Sequence, residues 1–140
     1  MSDTEQRVRA SFAKQQAMAT CGIELVRVEP GTVELLLRHT PAITQQHGFV
    51  HAGILATALD SACGYAAFSL MPADAGVLTI EFKINLLAPA RGPLFKVIAT
   101  VQKSGRTISV VEGRAETDGK LIASMTATVM TVVDRKDVTG

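Results

Sequence analysis

The segment from Ala52 to Met71 contains one charged residue, Asp60, and this constrains the fold more than any other feature of the chain. It reads AGILATALDSACGYAAFSLM and is apolar on nearly every side, which is typical of a helix buried in a protein core. Burying a carboxylate costs free energy unless the group is paired, hydrogen-bonded or part of a functional site. The segment therefore predicts a buried central helix. On it, Asp60 is either a functional acid or a structural one that is hydrogen-bonded to the backbone or to Thr57.

The residues just before this helix, His47 to Gly53, read HGFVHAG and contain two histidines and two glycines. A helix start offers free backbone N–H groups and the positive end of the helix dipole, which suit a developing negative oxygen. The sequence thus predicts an oxyanion donor here and an acid or base at Asp60. His47 and His51 are alternatively capping or core histidines. With Asp60 they are too few for a metal site, so we expect no metal and no cofactor.

Composition excludes several classes of protein. The formal net charge is +1 with 19% charged residues, which gives no sign of a nucleic-acid-binding arm or a basic membrane patch. The long apolar segment could span a membrane, but Thr57, Asp60, Ser61 and its alanines favour packing inside a protein. We expect one domain, residues 1–140, and the 47% hydrophobic content hints at a subunit interface.

The two cysteines, Cys21 and Cys63, lie far apart and lack metal-ligand spacing. Cys63 falls on the buried helix, where we interpret it as a small apolar side chain rather than a nucleophile. The first ten residues contain no apolar signal segment. We therefore expect a reduced, cytoplasmic protein.

The pattern along the chain predicts two helices and six strands. A helix over Thr4 to Thr20 stops at Cys21-Gly22, and Met71-Pro72 ends the long helix. Turn residues separate the strands, with Asp118-Gly119 the strongest hairpin signal, and the tail 134–140 is expected to be frayed. The predicted strands are Ile23–Val28, Thr32–Arg38, Val77–Leu87, Leu94–Lys103, Thr107–Thr117 and Leu121–Val133.

Short connections between these strands predict an antiparallel sheet with the apolar helix covering one face, an α+β architecture. The first strand after the helix alternates along its length. Its two predicted faces are Leu78, Ile80, Phe82 and Ile84 on one side and Thr79, Glu81, Lys83 and Asn85 on the other.

A long helix wrapped by an antiparallel sheet, with a His-Gly-rich start and an acid, resembles the hotdog fold. The likeness is closer to hotdog acyl-CoA thioesterases of the phenylacetic-acid-degradation (PaaI-like) type, in the 4-hydroxybenzoyl-CoA thioesterase superfamily. Their pattern is an Asn, a His-Gly-Gly at the helix start, and then an Asp or Glu. This chain has Gln45, His51-Ala52-Gly53 and Asp60, followed by LLAPA at Leu86 to Ala90. The resemblance covers Cys21 to Val133.

The resemblance implies roles for five residues. Asp60 matches the catalytic carboxylate, and Ala52 matches the residue whose backbone N–H polarises the thioester carbonyl. His51 matches a histidine whose part is mainly structural. Gln45 falls where an Asn orients water or substrate, and Thr79 falls where a hydroxyl holds the attacking water. Ala52 replaces a glycine and Gln45 replaces an Asn; the first change narrows the approach to the carbonyl and the second lengthens the side chain. Each of these residues also has a plainer interpretation as part of a loop, cap or strand.

The distance between Ala52 and Asp60 along the helix indicates how many chains are needed to form one active site. Asp60 lies eight residues beyond Ala52, which is ~12 Å along a helix axis, too far for both to reach one carbonyl. Two antiparallel copies of the helix around a two-fold axis would bring one chain's Ala52 near the other's Asp60. We therefore expect a homodimer with composite sites, and further pairing into tetramers stays open.

The leading hypothesis is hydrolysis of an acyl-CoA thioester, with Asp60 as general base or as nucleophile and an aryl or short to medium acyl group. Arg106, Arg91 and Lys83 are candidates to bind the CoA phosphates, or else are ordinary surface charges. Two alternatives remain: a hotdog acyl-thioester dehydratase or hydratase that uses a histidine, and a non-catalytic acyl-CoA-binding module. Ser61 lacks a G-x-S-x-G turn, which excludes a serine hydrolase.

Overall fold

An antiparallel sheet of six strands wraps around one long helix in the computed structural model, which describes residues 1–140. Two short helices precede the sheet, and a single 3₁₀ turn, Pro41–Ile43, leads towards the long helix. The helices are α1 (Asp3–Ala13), α2 (Gln16–Cys21) and α3 (Ala52–Phe68). The strands are β1 (Ile23–Glu29), β2 (Thr32–Arg38), β3 (Gly76–Leu86), β4 (Leu94–Ser104), β5 (Ile108–Thr117) and β6 (Lys120–Val132).

The strands pair in the order β1-β2-β4-β5-β6-β3, and every neighbouring pair is antiparallel. The predicted hairpin between β5 and β6 is confirmed. Asp118 and Gly119 both have positive φ, 49° and 76°, as a two-residue turn of the type favoured by the sheet twist requires. β3 joins at the far end, so it is an edge strand. Together the elements form the α+β hotdog architecture that the resemblance predicts.

The helix α3 lies against the concave face of the sheet, and small side chains set how close it comes. Ala58, Ala62 and Cys63 on the sheet-facing side of α3 are fully buried. At Gly113 on β5, a Cβ would lie 3.1 Å from both Cys63 Sγ and Leu59 Cδ2. The helix therefore packs directly on the backbone of the strand at this point.

The N-terminal segment differs from the single helix predicted over Thr4 to Thr20. The helix breaks at Lys14 and Gln15, where Gln15 adopts an extended backbone with φ −82° and ψ 96°. No glycine or proline marks the break. It lets Val8 of α1 and Met18 of α2 both be buried against the core, so tertiary packing overrides local preference here.

The alternation of side chains between the two faces of β3 was predicted wrongly for the first half of the strand. A β-bulge lies between Thr79 and Glu81, with Ile80 as the extra residue. Thr79 pairs with the buried Val129 and so faces α3, whereas Leu78 faces outwards. Beyond the bulge the two faces follow the prediction. The face towards α3 carries Val77, Thr79, Phe82, Ile84 and Leu86, and the outer face carries Leu78, Glu81, Lys83 and Asn85.

The long helix ends earlier than predicted, at Phe68, and residues 69–71 turn out of it. Ser69 holds this turn, because its hydroxyl donates to the Ala66 carbonyl and accepts the Gly31 N–H. None of the helices is both long enough and apolar enough to cross a membrane. The tail after β6 has no regular structure, and Lys14 Nζ donates to the carbonyl of Gly140, 2.8 Å away.

We expect Gly113→Val to destabilise the protein by about 1–3 kcal/mol, because the new side chain would collide with Leu59 and Cys63. Arg114→Val is the matched control, since Arg114 is the next residue of β5 and is exposed on the opposite face. Urea unfolding of the two variants measures the difference. Equal stability would show that α3 does not rest on this strand.

Candidate active site

The start of α3 leaves one backbone donor free. His51 is the N-cap residue, and its Nδ1 accepts the Gly53 N–H at 2.8 Å. The N–H groups of Ile54 and Leu55 donate to the His51 carbonyl. The Ala52 N–H makes no hydrogen bond within the chain. Of the amides at the positive end of this helix, it is therefore Ala52 that can bind an oxyanion.

A cavity of about 510 Å³ opens at Ala52. One wall is the loop that leads into α3, and the other is the segment that follows β3. The lining residues are Gln45, Phe49, Val50, His51, Ala52, Leu55, Leu86, Leu87, Ala88, Pro89 and Ala90. The backbones of the two walls are joined where the Val50 N–H donates to the Ala90 carbonyl.

Gln45 shapes the loop as well as lining this cavity. Its Oε1 accepts the N–H groups of His47 and Phe49, at 2.5 and 3.3 Å. Only the Nε2 amide group is left to meet water or substrate, so Gln45 can act there as a donor. The Gln45 side chain is one methylene longer than that of Asn, and it reaches across the turn from residue 45 to the Phe49 N–H.

His39, which the sequence analysis did not select, joins the two walls of the cavity. Its Nδ1 accepts the Gly92 N–H at 2.8 Å, so Nε2 carries the proton and donates to the Gly48 carbonyl at 2.9 Å. Gly92 fits here because a Cβ would lie 2.5 Å from His39 Cβ. No sequence motif marks this role, because the three residues meet only in the folded chain.

Asp60 faces β3 from the middle of α3. The Thr79 hydroxyl donates to Asp60 Oδ1 at 2.7 Å, a contact that the bulge in β3 makes possible. The bond fixes the orientation of the carboxylate, and the Thr79 oxygen keeps lone pairs that can accept a hydrogen bond from water. Asp60 is half-buried, so the acid is open to a ligand.

A second cavity, of about 300 Å³, surrounds Asp60. Half of its lining is polar. The lining residues are Gln15, Asp60, Ser61, Gly64, Tyr65, Val77, Leu78 and Thr79. Gln15 comes from the break between α1 and α2, which the sequence did not reveal, and Tyr65 of α3 was not selected by the sequence analysis either.

The two cavities have no lining residue in common. Gln45, His51 and Ala52 meet at the helix start, while Asp60 and Thr79 meet in the other cavity. Eight residues of helix, ~12 Å, separate Ala52 from Asp60 along the axis. A single chain therefore holds the two halves of the expected chemistry apart.

The three basic candidates lie in different places. Arg91 stacks on Phe49, with Cζ 4.7 Å from the ring centroid, at the edge of the larger cavity. Arg106 is exposed in the turn between β4 and β5, and Lys83 is exposed on the outer face of β3. Neither of the latter lines a cavity around Ala52 or Asp60.

The edge strand β3 and the segment after it expose large apolar side chains. The exposed fractions are 50% for Ile80, 41% for Phe82, 53% for Leu86 and 55% for Leu87. An edge strand with an apolar face is a surface that readily pairs with another strand. This surface lies between the two cavities.

Cys63 lies one helical turn from Asp60 but is not available for chemistry. Burial, with smaller contributions from the charges of Asp60 and Glu112, raises the pKa of its thiol to about 12. The thiol therefore stays protonated at neutral pH. No three His, Cys, Asp or Glu side chains converge in the chain as metal ligands would.

Residues 47–123 match the sequence model of the thioesterase superfamily. A solved thioesterase family protein from Silicibacter pomeroyi is 53% identical, with a TM-score of 0.89 over 93% of this chain and 98% of that one. The PaaI protein of the Escherichia coli phenylacetic acid degradation operon superposes with a TM-score of 0.86 over 92% and 93% of the two chains. At 18% identity, that likeness shows the fold alone. The medium/long-chain acyl-CoA thioesterase YigI of Salmonella typhimurium is 26% identical over 78% of this chain and 81% of its own length.

We expect a thiol reagent at about pH 8 to label only the half-buried Cys21 in the folded protein, because the raised pKa and burial protect Cys63. Both thiols should react in denaturant. Cys21→Ala should abolish labelling of the folded protein, and Cys63→Ala should leave it unchanged. Rapid labelling of Cys63 in the Cys21→Ala variant would contradict the raised pKa.

Proposed function

Because the chain belongs to the thioesterase superfamily and is a thioester hydrolase, we propose that it cleaves acyl-CoA thioesters between Ala52 of one protomer and Asp60 of its partner. The observation that carries this proposal is the separation of the two groups: the free Ala52 N–H lies in one cavity, and the Asp60 carboxylate, bonded to Thr79, lies in the other. The relative named as an acyl-CoA thioesterase supports CoA as the leaving group.

The Ala52 amide serves as the oxyanion donor. It lies at the positive end of α3, where the dipole and the N–H both favour the negative oxygen of a tetrahedral intermediate. His51 supports this role indirectly. Its ring Nδ1 accepts a hydrogen bond from the neighbouring Gly53 N–H and so holds the first turn of α3 in place. His51 therefore acts as a helix cap.

Asp60 acts on the same carbonyl from the partner protomer, by one of two routes. As a general base it takes a proton from water, whose oxygen attacks the carbonyl carbon; the C–S bond then breaks and CoA leaves as the protonated thiol. As a nucleophile it forms a mixed anhydride with loss of CoA, and water then hydrolyses the anhydride. Thr79 orients the carboxylate in both routes.

A homodimer supplies the composite site. The ~12 Å between Ala52 and Asp60 and the two separate cavities support it, since one chain cannot bring both groups to one carbonyl. The apolar edge of β3 gives the two chains a surface to share. Further association into tetramers would use other surfaces.

The CoA moiety enters from the helix-start side. Arg91, held over Phe49 at the rim of the larger cavity, is the best placed of the basic residues to meet a CoA phosphate. Arg106 and Lys83 remain candidates for contacts further along CoA. Gln45 Nε2 is available to orient the substrate carbonyl or the water.

We expect Asp60→Asn to reduce kcat by about 10²–10⁴-fold on acyl-CoA substrates, because the amide keeps the shape but can neither accept a proton nor attack. Thiol release from a panel of aryl and aliphatic acyl-CoAs measures the loss. Asp74→Asn is the matched control, since Asp74 is exposed in a loop outside both cavities. Full activity of Asp60→Asn, or no cleavage of any acyl-CoA by the wild type, would overturn the proposal.

We expect Ala52→Pro to lower kcat by about 10²–10³-fold, because proline removes the backbone N–H that would hold the oxyanion. The first helical position tolerates proline, and His51 before it has φ −60° and ψ 137°, which a following proline accepts. Ala52→Gly keeps the N–H and should remain active. Equal activity of the two variants would exclude this amide.

Mixing the two inactive variants tests the composite site. A dimer of Ala52→Pro with Asp60→Asn has one doubly damaged site and one intact site, so random pairing should restore about a quarter of wild-type activity. Sites built within single chains would stay inactive in every mixture. Co-purification of the untagged variant with a tagged one confirms that protomers have exchanged.

A further inference from the structure

The glycine at position 64, in the middle of α3, has no explanation in the packing of its own chain. Gly64 is buried, yet a Cβ added there would meet no atom within 4 Å outside the adjacent helix backbone. Alanine would fit and would favour the helix, whereas glycine weakens it. The space beside Gly64 is therefore kept open at a cost to the helix.

This space belongs to the cavity around Asp60. Gly64 follows Asp60 by four residues, so the two lie one turn apart on the same face of α3, with Thr79 facing them from β3. An acyl group whose carbonyl is at Asp60 can extend along this face, past Gly64, for about one helical turn, ~5.4 Å.

Two polar side chains close the far end of the cavity. Gln15 Nε2 donates to the Tyr65 hydroxyl at 2.9 Å, and Gln15 Oε1 accepts from the Ser61 hydroxyl at 3.3 Å. Ser11 is also hydrogen-bonded to the Tyr65 hydroxyl, 3.1 Å away. Tyr65 is only 3% exposed, so this network fixes Gln15 across the end of the cavity.

We infer that Gly64 sets the width of the acyl site and Gln15 its length, so that the enzyme selects compact acyl groups. The inference rests on the proposed function, because it assigns the acyl group to the cavity that holds Asp60. A volume of about 300 Å³ is at the small end for ligand sites, which suits a single ring or a short chain. A long straight chain would have to displace Gln15.

The test compares kcat/KM of Gly64→Leu, Gly64→Ala and Gln15→Ala on butanoyl-, phenylacetyl- and decanoyl-CoA. Gly64→Leu fills the space beside Asp60 and should reduce kcat/KM for phenylacetyl-CoA by about tenfold or more relative to butanoyl-CoA. Gln15→Ala removes the end wall and should raise the ratio of decanoyl- to phenylacetyl-CoA turnover by about tenfold. Gly64→Ala should give a smaller shift in the direction of Gly64→Leu.

Thermal unfolding and size-exclusion chromatography separate this role from a structural one. Gly64→Ala should keep or raise Tm while its selectivity changes, because alanine favours the helix. Unchanged substrate ratios in all three variants would overturn the inference. An equal loss of kcat/KM on every substrate, together with a change in oligomeric state of the Gly64 variants, would also overturn it. That result would make Gly64 a contact between protomers. If the wild type cleaves no acyl-CoA, the proposed function itself fails; if it does, unchanged ratios count against the acyl site alone.

Discussion

The direct packing of α3 on the concave face of the sheet is the contact on which the rest of the structure depends. Alanines on the helix and Gly113 on β5 let the two backbones approach closely, so the curved sheet covers most of the helix surface. What remains is the strip of α3 that lines the two cavities, with Ala52 at its start and Asp60 and Gly64 further along. The close packing thus decides which few groups of an almost wholly apolar helix can meet a ligand.

The ends of this strip have different chemistry because a helix is polar along its axis. At its start the dipole and the free Ala52 N–H favour negative charge, and His51 supports them as a cap. In its middle Asp60 supplies the negative charge itself, oriented by Thr79. A rigid helix keeps these complementary groups apart, so the proposed chemistry depends on a symmetry-related copy. The exposed apolar edge of β3 is consistent with the same dependence.

Much of the fold followed from local patterns. The apolar run predicted α3, and Asp118-Gly119 predicted the β5–β6 turn, because both signals are carried by neighbouring residues. The single helix predicted over residues 4–20 was wrong, since burial of Val8 and Met18 divides it. The alternation of β3 failed at Thr79 for a similar reason: a bulge is set by pairing with β6, which the sequence of β3 does not encode alone. His39 was missed because its partners, Gly48 and Gly92, are remote in sequence.

The sequence by itself determined most of the helices and strands and the residues capable of chemistry. These are a helix start with histidines and glycines, and one acid in an apolar helix. Composition and periodicity are enough for this, because each element is largely specified by its own residues and each unusual residue carries its own chemistry. Only the tertiary structure decided which groups meet. It brought Thr79 to Asp60 through a bulge, Gln15 to Tyr65 through a helix break, and left Ala52 and Asp60 in separate cavities. Such contacts join segments far apart in the chain, and close packing of the whole core, rather than local preference, fixes their distances.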